Sequence, residues 1–349
     1  YAILQVRPLS PIPDPSMAKR RLSERQVARI RRIQERRRSK AEARAEAAAA
    51  QTDEEDLRLG LVVVRHGANL VVEDAGGRLH HCVTRQHIGH PVCGDRVVWQ
   101  RSAQAVGVVT AIEPRTNVLS RPITGSADKP LAANIGLMAV VLAPYPRPTG
   151  FLLDQYLVAA ERIGVAALIV CNKMDLLDDD ERVAFLAELE HYMAIGYPVI
   201  PLSLKTDMPL TGLEAQISDR TAILVGQSGV GKSSLVRALL PQHKIAVGAL
   251  SAATGLGRHT TSATTSYRLS SGGRLIDSPG VRSFRLGTLD RRDLECGFRE
   301  FRPFLGHCRF HNCAHLSEPD CAIRGAVEAG SITRQRLESY QHIASESGT

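Results

Sequence analysis

The sequence of 349 residues lacks several features that would assign it to a large class of proteins. No apolar run approaches the roughly 20 residues that a membrane-spanning helix needs. Residues 1–30 contain no apolar segment followed by a cleavage site, so a secretory signal is not expected. Internal repeats are absent. The balance of 44% hydrophobic and 23% charged residues is typical of a soluble protein, and the length predicts two or three domains.

The cysteines give no indication of a disulfide framework. Their number is seven, which is odd, and Cys82, Cys93, Cys171 and Cys296 are scattered along the chain. The other three lie close to one another and to a histidine near the C-terminus. This distribution predicts a reducing compartment and a metal site, and we expect a cytoplasmic protein without a membrane partner.

Net charge is nearly absent outside one segment. The chain carries a formal charge of +8, whereas residues 18–44 alone hold twelve Lys and Arg against three Glu, which is 12 − 3 = +9. We expect residues 1–56 to be a basic, disordered arm that binds a polyanion, most simply RNA. A membrane surface ranks lower because apolar anchors are few, and a tail that only aids solubility is the alternative. The first Met is Met17, in a run that resembles a natural start, so residues 1–16 are a candidate non-native extension.

Residues 57–120 are predicted to form a small β-barrel. Five short β-rich runs follow one another, separated by turn signals such as Gly76-Gly77 and Cys93-Gly94-Asp95. An OB-fold is favoured because it is a five-stranded barrel that often binds RNA, and an SH3-like barrel stays open as the alternative.

Residues 121–287 alternate between strand and helix patterns. Continuous apolar runs at 135–144 and 166–175 indicate buried parallel strands joined by a crossover helix at 151–164. The alternation predicts a doubly wound α/β sheet with ligands at the carboxyl ends of its strands. Residues 288–349 form a predicted third, helical domain. The remaining predicted elements are a helix at 181–196, a strand at 197–203, a strand–loop–helix unit at 221–240 and a strand at 272–279.

The segment from Gly226 to Ser233, GQSGVGKS, matches the phosphate-binding pattern G-x-x-x-x-G-K-[ST]. It follows an apolar strand and begins a helix, which is the context that makes the pattern specific. Lys232 would bridge the β- and γ-phosphates of a nucleotide, and Ser233 would bind Mg²⁺. The predicted nucleotide contacts here are Gly226, Gln227, Ser228, Gly229, Val230, Gly231, Lys232, Ser233 and Ser234.

Two further segments are predicted to sense the γ-phosphate. Asp277 of the run DSPG can reach the Mg²⁺ shell, and the N–H of Gly280 can contact the phosphate. A loop rich in Gly, Ser and Thr lies between this run and the phosphate loop. Within it, Thr260 and Thr261 are candidate contacts, and Thr261 is favoured as the Mg²⁺ ligand. The alternative is a loop without any ligand.

The run Asn172-Lys173-Met174-Asp175 is predicted to select guanine. A carboxylate at Asp175 can accept hydrogen bonds from the guanine N1–H and N2–H₂ groups, which adenine does not offer in that arrangement. Lys173 can pack its stem along the base, and Asn172 can tether neighbouring loops. The backbone of Ser203, Leu204 and Lys205, at the end of the next strand, is placed to contact the guanine O6.

These motifs stand in an unusual order, because the base-reading run precedes the phosphate loop by about fifty residues. In most GTPases it follows the loop. A parallel sheet tolerates circular permutation when the old termini lie close together and the new ones fall in a loop. We therefore predict a circularly permuted P-loop GTPase domain.

The C-terminal cluster predicts a structural zinc site. Cys308, Cys313, His315 and Cys321 offer three thiolates and one imidazole, which is a closed tetrahedral set for Zn²⁺. His307 and His311 are nearby competitors, and free buried thiols are the alternative. A segment with so little apolar content needs a bound metal or a similar cross-link to fold.

The permuted order, with GQSGVGKSS, GLGRHTT, DSPGVRSF and NKMD, resembles the ribosome small-subunit-dependent GTPase A family of circularly permuted bacterial GTPases. The resemblance covers about residues 57–345. It implies an N-terminal OB-fold, a permuted GTPase domain and a C-terminal zinc domain. It also implies binding to the small ribosomal subunit and its rRNA during late maturation, with GTP hydrolysis stimulated by that subunit.

The catalytic group is less evident than the binding groups. Many GTPases orient water with a Gln just after D-x-x-G, and Val281 stands there, so slow intrinsic turnover is expected. His259 is the candidate to orient water, with Lys232 and Thr261 completing the catalytic set. A structural or RNA-contacting role for His259 stays open. Two other functions also stay open: an RNA-binding scaffold that uses GTP as a slow timer, and a GTPase that acts on tRNA or another RNA. We expect a monomer.

Overall fold

This computed structural model describes residues 57–67, 69–85, 88–101, 106–123, 126–148, 150–206, 208, 210–240, 264–278 and 289–347. The described part of the chain begins with a closed five-stranded barrel. Strand β1 pairs with both β2 and β4, which closes the barrel in the order β1-β2-β3-β5-β4, and β3 runs parallel to β5. This arrangement confirms the OB-like barrel. The strands are β1 (Leu57–His66), β2 (Asn69–Asp74), β3 (Leu79–Thr84), β4 (Arg96–Gln100) and β5 (Gly107–Ile112).

A parallel sheet forms the centre of the α/β domain. Strands β8, β9, β10, β11 and β13 lie in the order β10-β9-β8-β11-β13, and all four pairings are parallel. Their carboxyl ends therefore meet at one edge. The bounds are β8 (Leu137–Leu142), β9 (Ala166–Cys171), β10 (Val199–Pro201), β11 (Thr221–Val225), β12 (Thr264–Arg268) and β13 (Arg274–Asp277).

Helices cover both faces of this sheet, because alternate residues of its buried strands point to opposite sides. Met138 and Val140 pack with helix α1, while Leu137 and Ala139 pack with α4 and α5. None of the described helices is long and apolar enough to cross a membrane. The helices of this domain are α1 (Gly150–Arg162), α2 (Asp179–Ala187), α3 (Glu190–Ala194), α4 (Thr211–Ile217) and α5 (Lys232–Leu239).

The barrel and the α/β domain share one continuous sheet. Strand β12 pairs with β13 on one side and with barrel strand β1 on the other, both antiparallel. The thiol of Cys93 lies at this junction, 3.2 Å from the carbonyl oxygen of Val63 and 3.1 Å from that of Thr264. Burial raises the pKa of Cys93 to about 12, so the group is a neutral thiol that can donate to these carbonyls.

Three elements differ from the sequence-based prediction. The helix predicted at 181–196 is interrupted, and α2 and α3 are separate helices around Glu188 and Leu189. Strand β12 was not predicted, because its residues are mostly polar and its pairing partners come from distant parts of the chain. An antiparallel hairpin of β6 (Val118–Ile123) and β7 (Ser126–Ala133) was also not predicted and connects the barrel with β8.

A short turn explains the permuted motif order. Helix α4 ends at Ile217 and β11 begins at Thr221, so only Ser218, Asp219 and Arg220 separate the base-reading half from the phosphate-binding half. Asp219 adopts a left-handed conformation with φ of 57°, and the N–H of Arg220 donates to the Ile217 carbonyl. This turn is where the termini of an unpermuted GTPase would be joined.

The C-terminal segment packs against helix α1. Its helices are α6 (Arg291–Gly297), α7 (Ala322–Glu328) and α8 (Arg334–Ser347), with a 3₁₀ segment at Arg299–Phe304. Val158 of α1 is part of their apolar cluster. A second group of contacts is ionic: Arg336, only 1% exposed, bonds to Asp154 of α1 and to Glu300. Tyr192 of α3 donates to the same Asp154 oxygen at 2.7 Å.

The ionic contacts of Arg336 compensate for its burial. Burial alone would lower the pKa of Arg336, but the charges of Asp154 and Glu300 raise it, so the guanidinium stays charged. Replacing one member of a buried ion pair leaves the other charge without a partner, which is strongly destabilising. The C-terminal segment is thus fixed to α1 and is not a freely tethered module.

We predict that Arg336→Met lowers the free energy of unfolding by roughly 3–5 kcal/mol, because Asp154 and Glu300 lose their buried partner. The matched control is Arg309→Met, whose ion pair with Asp320 is exposed and should contribute little. Urea unfolding followed by circular dichroism measures both. An equal, small loss in the two variants would contradict the assigned role of Arg336.

Candidate nucleotide and metal sites

The phosphate loop connects β11 to α5 at the carboxyl edge of the sheet. Gly226, Gly229 and Gly231 have φ of 133°, 86° and 97°, a region that side chains rarely adopt. A Cβ on Gly226 would lie 2.3 Å from the Val141 carbonyl oxygen. The ammonium of Lys232 donates to the carbonyls of Gly226 and Gln227 at 2.6 and 2.5 Å, which places its charge within the loop. The loop therefore has the geometry of a phosphate cradle.

The base-reading run is bonded directly to this loop. The side-chain amide of Asn172 donates to the Val230 carbonyl at 2.8 Å, and Lys173 donates to the Gly229 carbonyl at 2.6 Å. Lys173 also reaches the Tyr145 carbonyl at 3.3 Å, a contact that no sequence motif indicated. Gly231 is needed here, since a Cβ would lie 2.2 Å from the Asn172 amide nitrogen. The two motifs form one site despite their order in the chain.

Asp175 is held in a fixed orientation at the edge of this site. Its Oδ1 accepts from the Ser203 hydroxyl at 2.6 Å, and its Oδ2 lies 3.9 Å from the Lys205 ammonium. The Ser203 oxygen accepts in turn from the Lys205 backbone N–H at 3.1 Å. These contacts bring the two predicted base-reading runs together, with Met174 buried beneath and Leu204 partly exposed. Each carboxylate oxygen can accept more than one hydrogen bond, so a carboxylate held in this way can pair with the two adjacent donors of guanine.

Two of the three predicted Mg²⁺ ligands lie at the same edge of the sheet. Ser233 is at the start of α5, and Asp277 ends β13, the parallel neighbour of β11. A hydroxyl and a carboxylate are oxygen donors of the kind that Mg²⁺ prefers. The predicted third ligand Thr261 lies outside the described residues, as do Thr260, the catalytic candidate His259 and Gly280.

Comparisons with known proteins agree with this geometry. A family model described as RsgA GTPase matches residues 112–287. The protein named Small ribosomal subunit biogenesis GTPase RsgA of Pseudomonas aeruginosa PAO1 is 43% identical over 330 residues, which is 94% of this chain and 97% of that protein. The chain belongs to the RsgA GTPase family. The relative of that name from Azotobacter vinelandii is also 43% identical, over 334 residues with the same coverage.

Two solved structures share the fold of this chain. The crystal structure of YjeQ from Thermotoga maritima matches with a TM-score of 0.69 at 30% identity, covering 83% of this chain and 98% of that one. The crystal structure of YloQ, titled a circularly permuted GTPase, matches with a TM-score of 0.66 at 28% identity, covering 84% and 96%. These matches confirm the permuted GTPase fold that the motif order predicted.

The metal cluster predicted from the C-terminal cysteines is brought together in this member of the RsgA GTPase family. Nδ1 of His315 lies 3.6, 3.5 and 3.3 Å from the sulfurs of Cys308, Cys313 and Cys321, and the sulfurs of Cys308 and Cys321 are 3.9 Å apart. A tetrahedral ion bound at about 2.3 Å to sulfur and about 2.0 Å to nitrogen requires edges of about 3.8 and 3.5 Å. The four groups therefore fit a metal such as Zn²⁺. His307 and His311 are not part of this group.

Residues outside the predicted set orient the cluster. Glu295 of α6 places a carboxylate oxygen 3.2 Å from Nε2 of His315, the nitrogen that faces away from the sulfurs, and Gln341 donates to the His315 carbonyl at 3.0 Å. Backbone N–H groups, first among them that of Ala314, bond to Glu318 and lower its pKa to about 2. The contact of Glu295 with Nε2 is an ion-pair distance and not a hydrogen bond, because this nitrogen has no hydrogen-bond partner among the described residues. Glu318 could have been noticed from its place between His315 and Cys321, whereas Glu295 is too distant in sequence.

We predict that Asp175→Asn weakens GTP binding on the order of 10²-fold, because hydrogen bonds to a charged acceptor are lost. Relative binding of xanthosine triphosphate should improve, since its oxygen at position 2 can accept from the new amide. Titration with fluorescent nucleotides measures both affinities. Asp180→Asn, an exposed aspartate on α2, is the control. Unchanged GTP affinity in Asp175→Asn would contradict the role of this carboxylate.

Removal of the metal is expected to unfold mainly the segment after about residue 300, while the α/β sheet stays folded, because the sheet has its own apolar core. Hydrogen exchange with and without a strong chelator should show lost protection around Cys308–Cys321. Cys313→Ser should behave like the chelated protein, whereas Cys296→Ser, at an exposed cysteine outside the cluster, should not. A metal content well under one ion per chain in gently purified protein would contradict the site.

Proposed function

We propose that this protein is a GTPase that binds the small ribosomal subunit, acts in its late maturation and hydrolyses GTP to GDP and phosphate with subunit-stimulated turnover. The observation that supports this most strongly is the 43% identity, over nearly the whole length of both chains, with a protein named Small ribosomal subunit biogenesis GTPase RsgA. The bonded pair of base-reading and phosphate loops supports GTP as the nucleotide.

Hydrolysis in such a site depends on positioning and on charge stabilisation. Lys232 and the loop N–H groups would hold the β- and γ-phosphates, while Ser233, Asp277 and Thr261 would hold Mg²⁺, which neutralises charge that develops on the phosphates. Val281 has no group that can orient water, so intrinsic turnover is slow. His259 is the group proposed to orient water once the subunit arranges its loop.

The accessory parts fit an RNA partner. An OB-like barrel often binds RNA, and the basic arm, through its residues 17–50, can add salt-sensitive affinity for phosphates by counterion release. The Cys₃His cluster is proposed to hold one structural Zn²⁺. We further propose a cytoplasmic location, where thiols stay reduced, and a monomeric state.

The test is GTP turnover alone and with purified small subunits, large subunits or tRNA. We expect stimulation by small subunits only, and a loss on the order of 10²-fold in stimulated turnover for His259→Ala, the usual effect of removing a general acid–base or water-orienting group. His342→Ala, at an exposed histidine of α8, is the control.

The outcomes separate the alternatives. Stimulation by tRNA or by large subunits would indicate a GTPase that acts on that partner instead. Tight binding to small subunits without stimulation would favour an RNA-binding scaffold that uses GTP as a slow timer. Full stimulated turnover in His259→Ala would remove His259 as the catalytic group without affecting the rest of the proposal.

A further inference from the structure

A hydrogen bond between two hydroxyl groups joins strands β12 and β13 at the point where Asp277 ends β13. Oγ1 of Thr264, the first residue of β12, lies 3.0 Å from Oγ of Ser278, which directly follows Asp277. In the antiparallel register of these strands, Thr265 is opposite Asp277. The two hydroxyl residues are therefore the next cross-strand pair, and their bond closes the ladder just beyond Asp277.

Thr264 is itself fixed, because the barrel holds it from the other side. It lies opposite Arg65 of β1, and its carbonyl accepts from the buried thiol of Cys93 at 3.1 Å. Its partner Ser278 is 4% exposed, so water competes little for the bond. Cross-strand hydroxyl pairs of this kind stabilise neighbouring strands. The bond thus connects the end of β13 to a strand that is paired along both of its edges.

Asp277 is directed to the side of the sheet that carries the start of α5. Leu275 packs in the apolar cluster of α4 and α5, whereas Ile276 packs in the cluster of α1. Since side chains alternate along a strand, Asp277 is on the same side as Leu275, and Ser233 lies in the first turn of α5 on that side. The hydroxyl pair is on the opposite side, so it acts on Asp277 through the backbone.

We propose that Thr264 and Ser278 are positioning residues for the Mg²⁺-binding carboxylate of Asp277. Their bond holds the last peptide of β13 in the ladder, so the carboxylate is already on the α5 side before the ion binds. Without the bond, the end of β13 has more conformations, and ordering them on binding lowers the affinity for Mg²⁺. This inference rests on the proposed use of Asp277 and Ser233 as Mg²⁺ ligands.

The experiment measures how much Mg²⁺ the nucleotide site requires. Thr264→Val and Ser278→Ala each remove one hydroxyl of the pair, and Thr264→Ser keeps it. Ser266→Ala is the matched control, because Ser266 lies in the same strand, is 3% exposed and has a hydroxyl without a hydrogen-bond partner among the described residues.

The full chain with its cluster metal is kept in magnesium-free buffer without a chelator. It is titrated with Mg²⁺ in the presence of a fluorescent, non-hydrolysable GTP analogue. The affinity for the analogue is also measured without Mg²⁺, and thermal melts are recorded for every variant.

We expect Thr264→Val and Ser278→Ala each to raise the Mg²⁺ concentration at half-saturation roughly three- to tenfold, the usual effect of one hydrogen bond. Affinity without Mg²⁺ should stay within about twofold. The double variant should be no worse than either single variant, because the two residues share one bond. Thr264→Ser and Ser266→Ala should match the wild type. Should Thr264→Val not fold, Thr264→Ala has the same expectation.

Equal losses of affinity with and without Mg²⁺ would overturn the inference, because they would indicate a general effect on the nucleotide site. An unchanged Mg²⁺ requirement in either single variant, additive losses in the double variant, or the same shift in Ser266→Ala would overturn it as well. Each of these results, with normal wild-type binding, leaves the proposed function intact. A wild-type protein that does not bind the analogue in a Mg²⁺-dependent way defeats both.

Discussion

The side-chain amide of Asn172 donates a hydrogen bond to the carbonyl of Val230, and the nucleotide site depends on this contact between residues 58 positions apart. It is possible because β8 separates β9 from β11 and all three strands run parallel, so the segments that follow β9 and β11 emerge at the same edge. Gly231 leaves room for the amide, and the left-handed backbone of Lys173 turns its ammonium toward the loop. The base-reading run and the phosphate loop are thereby held together at the same edge of the sheet, whichever of them comes first in the chain.

The nucleotide site could be predicted from sequence because its chemistry is local. A phosphate cradle needs glycines at fixed spacing after a buried strand, and such strands are continuous in apolar residues, as in β8 and β11. The Cys₃His cluster is local for the same reason, since its four ligands lie within a short stretch and converge to distances that a tetrahedral ion requires.

The features that the sequence could not indicate depend on contacts between residues that lie far apart along the chain. Arg336 and Asp154 are 182 positions apart, and neither stands in a motif. Strand β12 has polar residues and exists because β1 and β13 offer it hydrogen-bonding edges. No Gly or Pro lies between α2 and α3, so the sequence did not predict the interruption between these helices.

The turn at Ser218–Arg220 has a consequence for how such a chain can be elaborated. The turn joins what would be the free ends of an unpermuted domain. The rest of the chain is therefore attached to this domain at the start of β8 and the end of β13, the two strands that flank β11 in the sheet. Material added before β8 joins the sheet at the edge opposite the phosphate loop, whereas material added after β13 continues from the edge where that loop lies, and in neither case is the guanine-reading half interrupted. In evolutionary terms, the barrel and the metal-binding segment are the kind of additions that this architecture accepts most readily, because each can be exchanged or lengthened while base selection stays the same.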